Sequence, residues 1–218
     1  MKKNLILIVS ALLLSLNPSN ITYTEPLEKQ EGSVSDITPG AYPLVKDSKI
    51  VKALDALINT DGEWARRAIA GHNNSKKPIK VIFKDLSSIS NEFKDHDALG
   101  WKDENNNLLI FINKKHSNAP VEALGSLLSH ESIHQDDQNS VKEETYGWTY
   151  EAEVWIQLKN KYPYLKTIPP GQDSLVDREN LMEMLFRKAG YSSKLIEQKV
   201  RSNNSYKSLP ETSPGFGK

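Results

Sequence analysis

The sequence predicts an α+β domain, mostly helical, with a short antiparallel sheet ahead of a helix that carries a His-Glu-x-x-His signature. Three observations carry this. Apolar residues recur at helical spacing over Ile50 to Ala70 and again from Val121 onward. Two β-rich runs, Ala98-Leu99-Gly100-Trp101 and Leu108-Leu109-Ile110-Phe111-Ile112, flank a connector of Asp and Asn, which favour turns. Paired His and Glu at His130-Glu131-Ser132-Ile133-His134 then fall inside the next helical stretch. A chain of 218 residues with 38% hydrophobic content has room for one such domain with tails.

Met1, Lys2 and Lys3 precede an apolar run from Leu5 to Leu16, which is too short for a membrane span and has the layout of a secretory signal. Residues 1–20 are therefore read as a signal peptide, cut near Ser19 to Thr24, and the mature chain as secreted or periplasmic with no stable membrane span. Residues 21–43, rich in Glu, Ser, Thr, Gly and Pro, read as a flexible arm. The folded domain is expected over 44–201, and residues 202–218, with Asn203-Asn204, Pro210, Pro214 and Gly215, as a disordered tail.

Within the domain, Asp61-Gly62 divides the first helical stretch into two helices or one kinked helix, and Ile79 to Phe83 forms a strand. Ser117-Asn118-Ala119-Pro120 supplies a Ser or Asn cap and a first-turn Pro for a helix running to about Gln135. Asp136 to Ser140 makes a turn, and a second helix spans about Val141 to Tyr162, ended by Pro163. Further helices are expected at Asp177 to Ala189 and Ser192 to Arg201.

Composition limits the chemistry. The 28 basic and 28 acidic residues cancel, and loss of Lys2 and Lys3 leaves about −2, which argues against a nucleic-acid partner. The absence of Cys excludes disulfides, a thiol nucleophile and thiolate-ligated metal, so a metal site must be built from His and carboxylate. His130 and His134, at i and i+4, lie on one helix face and can aim nitrogens at one ion, with Glu131 beside it as general base. His72, His96 and His116 sit in polar surroundings and read as solvated surface residues.

A catalytic zinc takes a third protein ligand, and Glu143, Glu144, Glu151 and Glu153 on the next helix are the available carboxylates. With the turn centred on Asp137 to Asn139, equal rise along two antiparallel helices puts Glu144 level with the metal. Glu151 and Glu153 lie about 10 Å or more beyond that level, and Glu143 points about 100° away. Gly147, one turn from Glu144 on its face, would let the helices approach closely. The expected metal ligands are thus His130, His134 and Glu144, with Zn2+ as cofactor. Trp148 and Trp155 read as core residues.

The run Leu124 to Gln135, following Leu108 to Asn113, resembles the zincin metallopeptidases, and a Glu ligand on the next helix is similar to their gluzincin branch. The resemblance implies zinc-dependent hydrolysis of a peptide or protein substrate, with Glu131 as base and an edge strand near Leu108 to Asn113 holding extended peptide. It also admits a spacing variant in which Glu153 is the third ligand. An oxyanion donor is also expected, and Tyr146 or Tyr150 could serve, although a packed core residue is the stronger reading of each. Amidase or cell-wall hydrolysis, an inactive zincin acting as a binding module, and a metal-free secreted interaction protein are the competing readings.

Overall fold

The computed structural model describes residues 37–73, 75–135, 138–214 and 216. The expected signal peptide, most of the expected arm, and Asp136 and Asp137 of the expected turn lie outside the described residues. Six helices and three strands follow in the order α1 (Ser48–Ala56), α2 (Glu63–Ala70), β1 (Lys80–Lys84), β2 (Ala98–Lys102), β3 (Leu108–Asn113), α3 (Val121–Glu131), α4 (Val141–Lys161), α5 (Ser174–Lys188) and α6 (Lys194–Ser202). The fold is α+β, as the sequence predicts.

The helical stretch Ile50 to Ala70 is two helices. Asp47 caps α1 by accepting from the amides of Lys49 and Ile50, and Gly71 ends α2 in the left-handed region at φ 112°. α5 starts earlier than expected, at Ser174, because Asp173 accepts from the amides of Leu175 and Val176. The cap expected at Ser117 or Asn118 is absent: Pro120 precedes α3, with no side-chain cap bond.

The two β-rich runs form the expected hairpin, with Ala98 opposite Ile112 and Lys102 opposite Leu108. The sheet is mixed, not purely antiparallel. Its order is β1-β3-β2, and β1 runs parallel to β3 with Val81 opposite Ile110. β3 is thus central, and the expectation that Leu108 to Asn113 forms an edge strand is corrected: β2 is the edge. The amide of Asn113 donates to the carbonyl of Asp97, so odd-numbered residues of β2 face β3. By alternation, Ala98 and Gly100 turn their backbone N–H and C=O groups to the open side.

One sheet face packs on the main core. There Val81, Ile110 and Ile112 meet α1 (Ile50, Leu54), α3 (Leu124, Leu128) and α4 (Trp155, Leu158). The other face, through Leu99 and Phe111, packs on Leu86 and Phe93 of the β1–β2 connection. A second cluster joins Trp148 and Ala152 of α4 to Met182 and Phe186 of α5 and to Ile196 and Val200 of α6. Trp148 and Trp155 are core residues as expected. α3 lies between these layers and is buried from Glu122 to Glu131. A helix without a wet face carries its polar side chains into the interior, where they need partners.

Both ends of the expected domain extend further than the sequence indicates. In the arm, Tyr42 is buried, and its hydroxyl donates to Asp55 and accepts from the buried Arg66. The tail is also packed: the amides of Val141 and Lys142 donate to the carbonyls of Pro210 and Glu211, and Phe216 is buried. No helix among the described residues is long and apolar enough to cross a membrane.

Gly125 sets the approach of α1 to α3. A Cβ there would lie 2.7 Å from the Ala53 carbonyl oxygen. Gly125→Ala gains about 1 kcal/mol of helix propensity but overpacks a backbone contact that cannot easily give, costing about 2–3 kcal/mol, so chemical denaturation should show a net loss of about 1–2 kcal/mol. Unchanged or increased stability would contradict this packing.

Candidate metal centre

Within the His-Glu-x-x-His signature the helix tightens. α3 ends at Glu131, short of the expected Gln135, and the amides of Ile133 and His134 donate three residues back, to His130 and Glu131. Such 3₁₀-type bonds are usual in a final helical turn. His134 keeps its place over His130, with ring centroids 4.9 Å apart.

His130 lies across α4, gripped from two sides. Its Nδ1 is 3.0 Å from Oε2 of Glu151, and its Nε2 is 3.6 Å from Oε2 of Glu144. Glu144 and Glu151 are two turns apart on one face of α4, with Gly147 between them. A Cβ at Gly147 would come within 2.8 Å of Nε2. The glycine therefore gives the imidazole its seat, which is the close approach the sequence leads one to expect.

Arg178 anchors the far side. Both terminal guanidinium nitrogens donate to Glu151, while Nε lies 3.1 Å from Asp97 and Nη1 3.0 Å from Glu179. Burial alone would raise the Glu151 pKa, but Arg178 and His130 outweigh it and hold that carboxyl at about 2. Glu151 is thus an acceptor, which makes Nδ1 of His130 the donor and leaves Nε2 directed at Glu144. Glu179, buried beside the same charges, is pushed well above the usual carboxyl range by burial and then by Glu151.

His130, His134 and Glu144 each offer a ligand atom, and these atoms all lie within 4.8 Å of one another. All three residues are buried. Two metal bonds of 2.0–2.1 Å at a tetrahedral angle separate their ligand atoms by about 3.3 Å, close to the 3.6 Å between His130 and Glu144. Glu144 accepts from Asn139 Nδ2 at 2.9 Å on one oxygen and from Trp148 Nε1 at 3.2 Å on the other. A carboxylate offers about four lone-pair sites, so these bonds leave room for an ion. Burial and the neighbouring His130 hold the His134 pKa far down, which keeps that ring in the neutral, ligating form. The group can hold a metal ion.

Glu131 stands apart from that group but borders the same cavity, of about 170 Å³, with His130, His134 and Glu144. Burial is the main cause that raises its pKa to about 7. Ala98, Leu99 and Gly100 of β2 form another wall, and His96, Ser205 and Tyr206 complete it.

Several site expectations change. His96 is half-buried in the cavity wall, and His116 is buried against Asp97 at 2.7 Å; neither is a solvated surface residue, whereas His72 is exposed as expected. Tyr150 donates to the carbonyl of Asp61, and Tyr146 stacks on it at 6.0 Å; neither borders the cavity. Tyr206 does, and no local pattern singles it out, because it follows the last periodic helix. The second grip on His130 by Glu151 was also missed, although its spacing of seven from Glu144 was available as a signal.

Comparison with protein-family models, curated proteins and solved structures finds no match for this chain.

Glu153 belongs to no metal-binding group among the described residues; burial and then the charge of Asp61 raise its carboxyl pKa to about 7. Glu144→Ala should weaken affinity for a divalent metal by about 100-fold or more in a chelator competition, and Glu153→Gln should leave it unchanged; the reverse pattern would reassign the ligand. A carboxyl raised in the folded state binds its proton more tightly there, so its contribution falls as pH rises from 4.5 to 7. Glu153→Gln should therefore be more stable than the parent by roughly 2 kcal/mol at pH 8 and nearly equal to it at pH 4. A constant difference across that range would contradict the burial of this charge.

Proposed function

We propose that this chain is an exported zinc-dependent peptidase of the zincin type, in which His130, His134 and Glu144 hold the metal and Glu131 is the general base. The observation that carries this reading is the geometry: a buried His-His-Glu group whose ligand atoms converge, with buried Glu131 bordering the same cavity but outside that group. A carboxylate placed to ligate would lower the charge available to the reaction; one held beside the ligands can move protons.

Zinc bound there would polarise a substrate carbonyl and lower the pKa of a water toward about 7. Glu131 then takes the proton of the attacking water at its carboxylate and returns it to the leaving nitrogen. Burial lowers the His96 pKa, which leaves a neutral imidazole with one N–H to give to the carbonyl oxygen. The open side of β2 offers the backbone groups of Ala98 and Gly100 to an extended peptide, so the substrate-binding strand assigned above to Leu108 to Asn113 moves one strand over.

Digestion of an unbiased peptide library by the zinc-loaded protein tests the reading. Glu131→Gln should keep its zinc while losing about 10²–10⁴-fold in cleavage rate. A variant as active as the parent would overturn the role of Glu131. A zinc-loaded parent that cleaves no peptide would overturn the peptidase reading in favour of another amide or a binding module.

A further inference from the structure

We infer that Glu143 is a positioning residue for the metal centre: its carboxylate accepts from Nδ1 of His134 when Nε2 of that ring takes the ion, and the C-terminal segment holds it there through Ser213. The inference rests on the reading of His130, His134 and Glu144 as metal ligands and does not depend on peptide hydrolysis.

Nδ1 of His134 is sealed from solvent and has no hydrogen-bond partner among the described residues, whereas the residue itself borders the metal cavity. With Nδ1 turned into the protein, Nε2 is the nitrogen left to the ion, as it is in His130. A neutral imidazole carries one N–H, so an ion on Nε2 commits the proton to Nδ1. A buried N–H needs an acceptor. Oε1 of Glu143 lies 3.8 Å from that nitrogen, a small side-chain movement beyond hydrogen-bond reach. His130 already has the equivalent partner, Glu151 at 3.0 Å from its own Nδ1. Helix α4 thus supplies one ligand, Glu144, and a fully buried carboxylate behind each histidine. Groups that hydrogen-bond the far nitrogen of a ligating histidine fix its orientation, and their loss typically costs 10–100-fold in metal affinity.

The first turn of α4 and the C-terminal segment hold Glu143 in place. Successive helical residues differ by about 100°, which takes Glu143 off the face from which Glu144 ligates. Ser140 caps the helix by accepting from the Glu143 amide. The Ser213 hydroxyl, from the segment beyond α6, contacts the Ser140 hydroxyl at 2.9 Å and donates to Oε2 of Glu143. Oε1 is then the oxygen on the His134 side. The same segment satisfies two first-turn amides, which have no partner within a helix: Val141 and Lys142 donate to the carbonyls of Pro210 and Glu211, at 2.9 and 3.2 Å. Ser213 is buried, and Phe216 beyond it is fully buried near Tyr146. The residues Ser140 to Glu144 thus receive the segment on one side and meet the histidines on the other.

Zinc affinity by chelator competition, and NMR of the imidazole nitrogens in the zinc-loaded full chain, test this without any substrate. In the parent, His134 should bind zinc through Nε2 and show a downfield, exchange-protected Nδ1–H proton. Glu143→Gln keeps the side-chain volume but replaces the charged acceptor by an amide. It should weaken zinc binding by about tenfold and move the His134 proton upfield, while the Nδ1–H of His130 keeps its position. Ser213→Ala removes the hydroxyl that steadies Glu143 and should change both readouts in the same direction by a smaller factor; should Glu143→Gln not fold, Ser213→Ala alone decides. Parental zinc affinity or an unshifted His134 proton in the deciding variant, or a parent in which Nδ1 of His134 binds the zinc, would overturn the inference. A parent protein that binds no zinc would instead overturn the metal reading beneath it.

Discussion

The seating of one imidazole organises this protein. His130 is carried on a helix buried on every side, and it lies across α4 with Glu144 at one nitrogen, Glu151 at the other and Gly147 beneath the ring. An imidazole buried without partners would cost several kcal/mol, so both of its nitrogens must be satisfied. Glu151 meets one of them as an anion, and a buried anion needs a cation. Arg178 supplies it from α5 and reaches on to Asp97 just ahead of β2. One ring thereby ties together α3, α4, α5 and the hairpin.

That chain of dependence explains which residues could be read from the sequence. Hairpin and helices were legible because their periodicities are local. Glu144 was legible because two antiparallel helices of equal rise fix which residues stand at one height. Gly147 followed from the same construction. By height Glu151 stands too far along α4 to ligate the metal, yet the imidazole has two nitrogens, and the far one meets Glu151 at 3.0 Å. A histidine is not a point: its ring spans enough of α4 to meet carboxylates on either side of it.

Other features lay outside any local pattern. The parallel pairing of β1 with β3 places the later strand at the centre, and nothing in either run of apolar residues encodes that order. His96 and His116 sit in polar stretches that read as solvated, but Asp97 and the cavity wall enclose them. The C-terminal segment lacks apolar periodicity because backbone pairing to α4, a few hydroxyls and Phe216 hold it, not an amphipathic face. Its signals were single residues, Tyr206 and Phe216, among residues that otherwise resemble a solvated tail. The near-zero net charge conceals the local arrangement in the same way: acids and bases balance over the chain while three carboxyls gather around Arg178.

The proposed metal centre requires one ion among His130, His134 and Glu144. Anomalous diffraction from crystals of the zinc-loaded protein, recorded on both sides of the zinc absorption edge, tests it most directly. A single strong edge-specific peak is expected about 2.0–2.2 Å from a nitrogen of each histidine, with Nε2 the ligand atom of His130, and from a carboxylate oxygen of Glu144, with Glu131 outside bonding distance. A peak bonded instead to Glu131, Glu151 or Glu153, or no zinc peak at this group in crystals soaked with the metal, would contradict it.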